Sequence, residues 1–203
     1  LRHIDFIAIA RYDWMHSALQ DGALTTEAAL LVSSAEVIGI TTSQIETHFK
    51  RNWSYPRQHQ SQGRHMWEIF ESGRRVTETK IKASASDMLM LYTLLRHFFE
   101  HHVGPRDEIK DQFEAFKAAC LCVDILLQAK RGRLDMKRAA SLLRDAMRQH
   151  MLLHIRAHGT SYLKAKHHWM FDIADQLEKD PFVLDCFLLE RSHMRAKARS
   201  NLV

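Results

Sequence analysis

The stretch of sequence that decides the fold is DEIKDQFEAFKAACLCVDILLQAKRGRLDMKRAASLLRDAMRQHMLLHIRAH, residues 107–158. Its first half repeats apolar side chains every three or four residues, which is the period of one buried helix face. Gly132 interrupts this pattern, and Asp135 begins a second run with the same period. Because glycine ends helices and aspartate caps their starts, the stretch predicts two long helices, 107–130 and 135–158. The predicted core residues are Phe113, Phe116, Cys120, Val123, Leu127, Leu143 and Met147, with Phe187 and Leu188 from the C-terminal region.

Capping residues and Gly or Pro stops predict further helices on both sides of this pair. Thr41 and Gln44 have the spacing of a capping box, and Pro181 fits the first turn of a last helix. The predicted helices cover about 15–20, 25–37, 42–51, 65–71, 84–103, 161–179 and 181–200, with loops over 52–64 and 72–82. The segment HIDFIAIARY, residues 3–12, predicts a strand because it is short and rich in β-branched and aromatic side chains. The predicted fold class is therefore mainly α, a helical domain with one N-terminal β-strand.

Composition and charge narrow the class of protein. The 203 residues suffice for one substantial core, or for a core plus a helical insertion. The formal net charge of +5 favours acidic partners such as nucleic acid. The three cysteines are an odd number in apolar helical contexts, which indicates reduced thiols in a core rather than a disulfide framework.

Several common signatures do not occur in the sequence. It has no Gly-rich phosphate loop, no GxSxG motif and no HExxH motif. It has no apolar run of membrane-spanning length and no signal-peptide pattern, so we expect no membrane partner. The chain starts with Leu and opens directly into the strand-like segment, and we interpret it as a piece of a longer protein.

Two short motifs near the chain ends each place a carboxylate close to a histidine. Asp13 and His16 follow the predicted strand, and Glu190 and His193 lie in the predicted last helix. A carboxylate at a strand end suits a Mg²⁺ ligand, but the same position is that of a helix N-cap. Glu190, His193 and Lys197 share one helix face, so Glu190 is either a ligand or an ion-pair partner. Position alone favours the cap and the ion pair.

Histidines recur at ligand-like spacing in the second long helix. His150, His154 and His158 are four residues apart, and His167 and His168 follow in the next predicted helix. This spacing fits a Zn²⁺ site. No cysteine or carboxylate sits at matching spacing beside them, so the sequence favours partly exposed histidines on a polar face. The same interpretation applies to His97, Glu100, His101 and His102.

Three segments resemble, in order and rough spacing, the C-terminal part of a DDE-type transposase of the CACTA and Plavaka-like group. They are Tyr12-Asp13-Trp14-Met15-His16, Lys166-His167-His168-Trp169-Met170 and Phe187-Leu188-Leu189-Glu190-Arg191-Ser192-His193. The resemblance implies a ribonuclease-H-like core interrupted by a helical insertion. Residues 1–20 would be the strand and helix start of that core, 25–160 the insertion, and 161–203 the C-terminal catalytic helices of one single-domain fragment.

The resemblance also implies an activity, which is metal-dependent cleavage and transfer of DNA strands. It further implies that the protein works in the nucleus and can act as a homo-oligomer. Asp13 and Glu190 would hold Mg²⁺ (or Mn²⁺), with His16 and His193 in support and Asp5 as the alternative to Asp13. Separately, the apolar side chains of the predicted strand, Phe6, Ile7 and Ile9, need cover, so we expect the last helix to pack beside the strand and bring Glu190 towards Asp13. The residues that would contact DNA are Arg191, Arg195, Lys197 and Arg199.

Two expectations limit this interpretation. The strands that carry the family's first catalytic aspartate, and with it a complete set of acids, do not occur in this sequence, so we expect the fragment alone not to cut DNA. The alternative is a non-catalytic, all-helical DNA- or protein-binding module. In that module the carboxylates are caps and ion pairs, and the basic run 191–199 is a solvated face.

Overall fold

The computed structural model describes residues 11–53, 70, 76–77, 79–102 and 107–186. Within these ranges the chain is mainly helical, as predicted. The elements are a π-helical turn (Met15–Leu19), α1 (Ala23–Val37), α2 (Thr42–Asn52), β1 (Val76–Thr77), β2 (Lys80–Ile81), α3 (Ala85–His102), a 3₁₀ turn (Asp107–Ile109), α4 (Lys110–Lys130), α5 (Met136–His158) and α6 (Ala165–Lys179).

The two long helices predicted from residues 107–158 form the centre of the fold. Asp135 caps α5, because its carboxylate accepts the backbone N–H groups of Lys137 and Arg138 at 3.0 and 3.2 Å. α4 packs along α5, α6 covers α5, and α1 covers α4. The predicted core residues Phe113, Phe116, Cys120, Val123, Leu143 and Met147 are buried, Leu127 is partly buried against them, and Phe187 and Leu188 lie outside the described residues.

Two further predicted helix starts are confirmed in detail. At α2, Thr41 Oγ1 accepts the Gln44 N–H at 3.3 Å, while Gln44 Oε1 accepts the Thr41 N–H at 2.9 Å. At α3, Ser84 Oγ accepts the Asp87 N–H at 3.1 Å. Both patterns satisfy amide groups that the first helical turn leaves without partners.

Three predicted boundaries are wrong. α1 begins at Ala23 rather than after Thr25 or Thr26, because both threonine hydroxyls bond backward to backbone carbonyl groups at Leu19 and Gly22. α6 begins after Lys164 rather than Ser161, since residues 160–163 form a separate turn. Residues 181–186 form no helix, so the predicted range 181–200 fails over its described part. Asp180, which precedes Pro181, is extended, as a residue before proline usually is.

The strand prediction was also incomplete. Residues 1–10 lie outside the described ranges, and residues 11–13 have no regular structure. A short antiparallel pair instead joins β1 to β2, within the region predicted as the loop 72–82. Ile81 of β2 is buried against α1, which explains why this two-residue strand has a fixed place.

Membrane-spanning potential is limited in the described ranges. No single helix there is both long and apolar enough to cross a bilayer. One bent pair, Met15–Val37 with Thr42–Asn52, passes on length and composition together, and its two parts meet at 111°.

Candidate functional site

The N-terminal motif begins the π-helical turn and is held by its own side chains. Asp13 Oδ1 accepts the Met15 N–H at 3.0 Å, which is the bond of a helix cap. Asp13 Oδ2 pairs with His16 Nδ1. The side chain of Asp13 is largely buried, whereas that of His16 is nearly half exposed. The cap interpretation of Asp13 is therefore confirmed, and it leaves His16 facing solvent beside the carboxylate.

The C-terminal region returns to this motif. The Trp14 N–H points to the Leu184 carbonyl oxygen at 3.4 Å. Cys186 Sγ, an Asp13 carboxylate oxygen and a His16 ring nitrogen all lie within 4.8 Å of one another. Burial and the neighbouring Asp13 carboxylate raise the pKa of the Cys186 thiol. Residues 13–16 and 184–186 therefore meet at a carboxylate, an imidazole and a protonated thiol.

The donor atoms of Asp13, His16 and Cys186 can be compared with the ligands that the expected Mg²⁺ would need. Magnesium takes oxygen ligands in near-octahedral geometry, usually carboxylates, phosphates and water. Asp13 offers one carboxylate that is already bonded to an amide and to His16, and Cys186 offers a soft sulfur atom. The described donors by themselves do not fit Mg²⁺.

The second resemblance segment also lies against the motif. Trp169 of α6 stacks on Tyr12 with ring centroids 5.6 Å apart, and Gln176 Oε1 accepts the Tyr12 N–H at 2.9 Å. Arg11 and Asp180 form an ion pair at 2.6 Å. Two of the three segments quoted for the resemblance are thus adjacent in space.

A basic cavity opens beside His16. Its lining includes Lys80 and Lys82, at β2, and Lys166, on α6. Lys80 pairs with Asp21 at 2.8 Å, and Lys166 Nζ donates to the Gln20 carbonyl oxygen at 2.5 Å. Burial and the nearby lysines lower the pKa of Lys166, although Asp21 opposes this shift. The cavity therefore concentrates positive charge next to the motif.

The other predicted site residues lie outside the described ranges. They are Glu190, Arg191, His193, Arg195, Lys197 and Arg199. Their roles stay predictions, as do those of Asp5 and the basic run.

Comparison of the chain with protein-family models, curated proteins and solved structures finds no match.

The prediction of partly exposed histidines is wrong for His150 and His154 of α5. His150 and His154 have no exposed surface, and they surround the equally buried Glu27 of α1. The carboxylate oxygen Oε1 lies 2.8 Å from His150 Nε2 and 2.5 Å from His154 Nδ1. The missing carboxylate comes from more than 120 residues away, so no local spacing revealed it. A carboxylate inside the apolar run of α1, ALTTEAALLV, was the available signal.

Two more histidines complete this buried cluster, which we define as Glu27, His150, His154, His158 and His167. His167, on α6, has its ring stacked on that of His150 at 5.8 Å. Its Nδ1 lies 3.0 Å from the Lys164 backbone N and 3.2 Å from the Lys164 carbonyl oxygen. His158 Nε2 lies 3.5 Å from Glu27 Oε2, and its side chain is 6% exposed. His168, next in sequence, is exposed as predicted.

Electrostatics set the charge of two members of the cluster, Glu27 and His167. Burial raises the pKa of Glu27, but the hydrogen bonds of His150 and His154 and the contact with His158 outweigh it and hold that pKa well below its usual range. Burial, followed by the neighbouring His150 and His154, lowers the pKa of His167 to about 4. At neutral pH the cluster therefore contains a carboxylate and a neutral His167.

A second group of histidines lines an open groove between α2 and α3. His102 Nε2 lies 2.8 Å from His48 Nδ1, and the His101 ring stacks on His97 at 4.0 Å. The prediction that His97, Glu100, His101 and His102 are at least partly exposed is confirmed. His48, which the sequence had not singled out, joins them from α2. Burial and its histidine neighbours lower the pKa of His48.

Proposed function

We propose that this chain is the C-terminal part of a DDE-type DNA transposase, in which Asp13 and Glu190 belong to one DNA-processing site. The observation that supports the proposal is that Cys186, the residue before the last motif, lies beside Asp13 and His16 of the first. The resemblance requires this contact, because its first and last motifs come from opposite ends of the sequence. In a helical bundle that merely used Asp13 as a cap, nothing would require the 184–186 segment to return to it.

Positive charge near the motif agrees with a DNA partner. The cavity beside His16 presents three lysines, and the sequence places four more cations at 191–199. Such charges bind phosphates with little base specificity and with strong dependence on salt. The metal ions and further acids that cleavage needs are not among the described donors, so the proposed role of this chain is to bind DNA and to supply part of the site.

A second candidate is the non-catalytic helical binding module. It is favoured by the capping bond of Asp13 to Met15, which already explains that carboxylate without any ligand. The two candidates differ in what Glu190 does, and in whether the C-terminal cations contact DNA.

Binding of a labelled DNA duplex, followed by fluorescence anisotropy over a salt series, tests the proposal. The triple variant Arg191→Glu, Arg195→Glu, Lys197→Glu is expected to weaken binding to unrelated duplexes alike. It should also reduce the slope of log K against log salt by about 3, since each lost phosphate contact removes about 0.9. The matched control is Arg131→Glu, Arg133→Glu, Lys137→Glu, which makes the same charge change at an exposed turn.

If both triple variants lose DNA affinity equally, only the net charge of the chain matters. If the variant at 191–197 binds DNA as well as the unsubstituted chain, the helical binding module is favoured. Glu190→Gln separates the candidates further. In the longer protein it should abolish metal-dependent strand cleavage while leaving the melting temperature unchanged. Retained cleavage would remove Glu190 from the site.

A further inference from the structure

The buried cluster takes no part in the proposed DNA-processing site. We propose that Glu27, His150, His154 and His167 bind one late first-row divalent metal ion, with Zn²⁺ as the representative. One donor atom from each residue lies within 4.8 Å of the donors of the other three. The four residues come from three helices, α1, α5 and α6.

The first argument is a buried donor atom that lacks a hydrogen bond. Within the described part of the chain, His167 Nε2 is buried and has no hydrogen-bond partner, and Glu27 Oε2 meets only His158 Nε2, at 3.5 Å. Native cores contain few such atoms, because a buried polar group without a partner is destabilising. An ion in the cluster would give His167 Nε2 the partner that it lacks.

The second argument is the chemistry of the donor set. Imidazole is a preferred ligand of zinc and of neighbouring transition metals, whereas magnesium and calcium prefer oxygen atoms. Three neutral imidazoles and one carboxylate leave a bound divalent ion with a net charge of only +1. The carboxylate thus offsets half of the charge that the core would otherwise have to bury.

The third argument is geometric. Ligand atoms around a four-coordinate zinc are about 3.3 Å apart, which follows from Zn–N distances of about 2.0–2.1 Å. His150 Nε2 and His154 Nδ1 already lie 2.8 and 2.5 Å from Glu27 Oε1. Side-chain shifts of roughly an ångström therefore convert hydrogen-bonded neighbours into ligands of one ion.

The orientation of His167 supports the same assignment. Its Nδ1 is held at the Lys164 backbone, 3.0 Å from the N–H group that donates to it and 3.2 Å from the carbonyl oxygen. These contacts fix the ring and leave Nε2, which has no hydrogen bond, as the atom available to a ligand. The ring is therefore held in place for a ligand before one arrives.

A bound ion would connect α6 to α1 and α5. α6 also carries Trp169, which stacks on Tyr12 next to the N-terminal motif. Because the four side chains have no exposed surface, the site resembles closed structural centres rather than catalytic centres with an open position. The ion would thus stabilise the position of α6, which packs against the N-terminal motif through Trp169.

Zinc binding to the purified chain tests this inference. The chain is stripped with a chelator, titrated with ZnCl₂, and analysed for bound zinc by mass spectrometry after gel filtration. We expect one tightly bound Zn²⁺ per chain and a melting temperature raised by about 5–10 °C at free zinc 100-fold above Kd. His154→Gln and His167→Gln should each weaken binding at least 100-fold, whereas the exposed neighbour variant His168→Gln should not.

The second donor group, Asp13, His16 and Cys186, is the main competitor for zinc. A His16→Gln, Cys186→Ser variant should keep the single site, and loss of stoichiometric zinc in it would overturn the assignment. Co²⁺ spectra of the unsubstituted chain provide a test that needs no folded variant. Four-coordinate Co²⁺ with nitrogen and oxygen donors gives visible bands without sulfur charge-transfer absorption. A thiolate band, or no binding by the stripped chain, would refute the proposal.

Discussion

Glu27→Gln in the metal-free protein is the most direct test of the buried cluster as a structural feature. The substitution keeps the shape of the side chain and removes its charge. With a chelator present throughout, any change in stability reports the hydrogen bonds of the carboxylate rather than metal binding. This separates the prediction from the zinc proposal.

The magnitude follows from the two bonds that Glu27 Oε1 accepts, from His150 at 2.8 Å and His154 at 2.5 Å. Hydrogen bonds to a charged group contribute about 1.5–3 kcal/mol each, and neutral ones about 0.5–1.5 kcal/mol. Glutamine keeps a carbonyl acceptor, so the expected loss is about 2–3 kcal/mol. For a chain of 203 residues this corresponds to a melting temperature lowered by about 5–10 °C.

Thermal unfolding followed by circular dichroism at neutral pH measures this shift. Glu36→Gln is the matched control, because Glu36 lies on the same helix and is exposed, and it should change the melting temperature by less than about 2 °C. Glu27→Leu leaves both imidazoles without an acceptor and should be worse than Glu27→Gln. A Glu27→Leu variant as stable as the unsubstituted chain would refute the account of the cluster.

Two further predictions concern other parts of the fold. Gly22→Ala should destabilise the chain by about 3 kcal/mol or more, because the new Cβ would overlap the backbone at Ser17. Gly132→Ala should cost only about 1 kcal/mol, because its positive φ disfavours alanine. A denaturant titration that ranks the two variants in the opposite order would contradict the packing around Gly22. Stability should also fall as pH drops below about 6.5, since the lowered pKa of His48 means that the unfolded chain binds more protons in this range. His48→Gln should make unfolding midpoints less dependent on pH between 5 and 7, and an unchanged pH dependence would show that other groups dominate.

Local signals in the sequence determined most of the helices. The capping box at Thr41, the cap at Asp135 and the glycine after α5 each act through backbone groups within one turn, so their effects can be read without knowing the rest of the fold. The errors occurred where a local signal competed with a distant contact. Thr25 and Thr26 look like caps, yet their hydroxyls bond to the preceding π-helical turn. The strand pair 76–81 depends on burial of Ile81 against α1, which no local pattern encodes.

The candidate sites also combine features that local sequence predicts with features that depend on distant contacts. The sequence by itself determined the histidine spacing on α5, the carboxylate–histidine pair at Asp13 and His16, and the helical character of the chain. Only the tertiary structure decided that Glu27 lies among the α5 histidines and that Cys186 returns to Asp13. The physical reason is that periodicity shows which residues share a face of one helix, whereas the partner of that face is selected by packing between helices far apart in sequence.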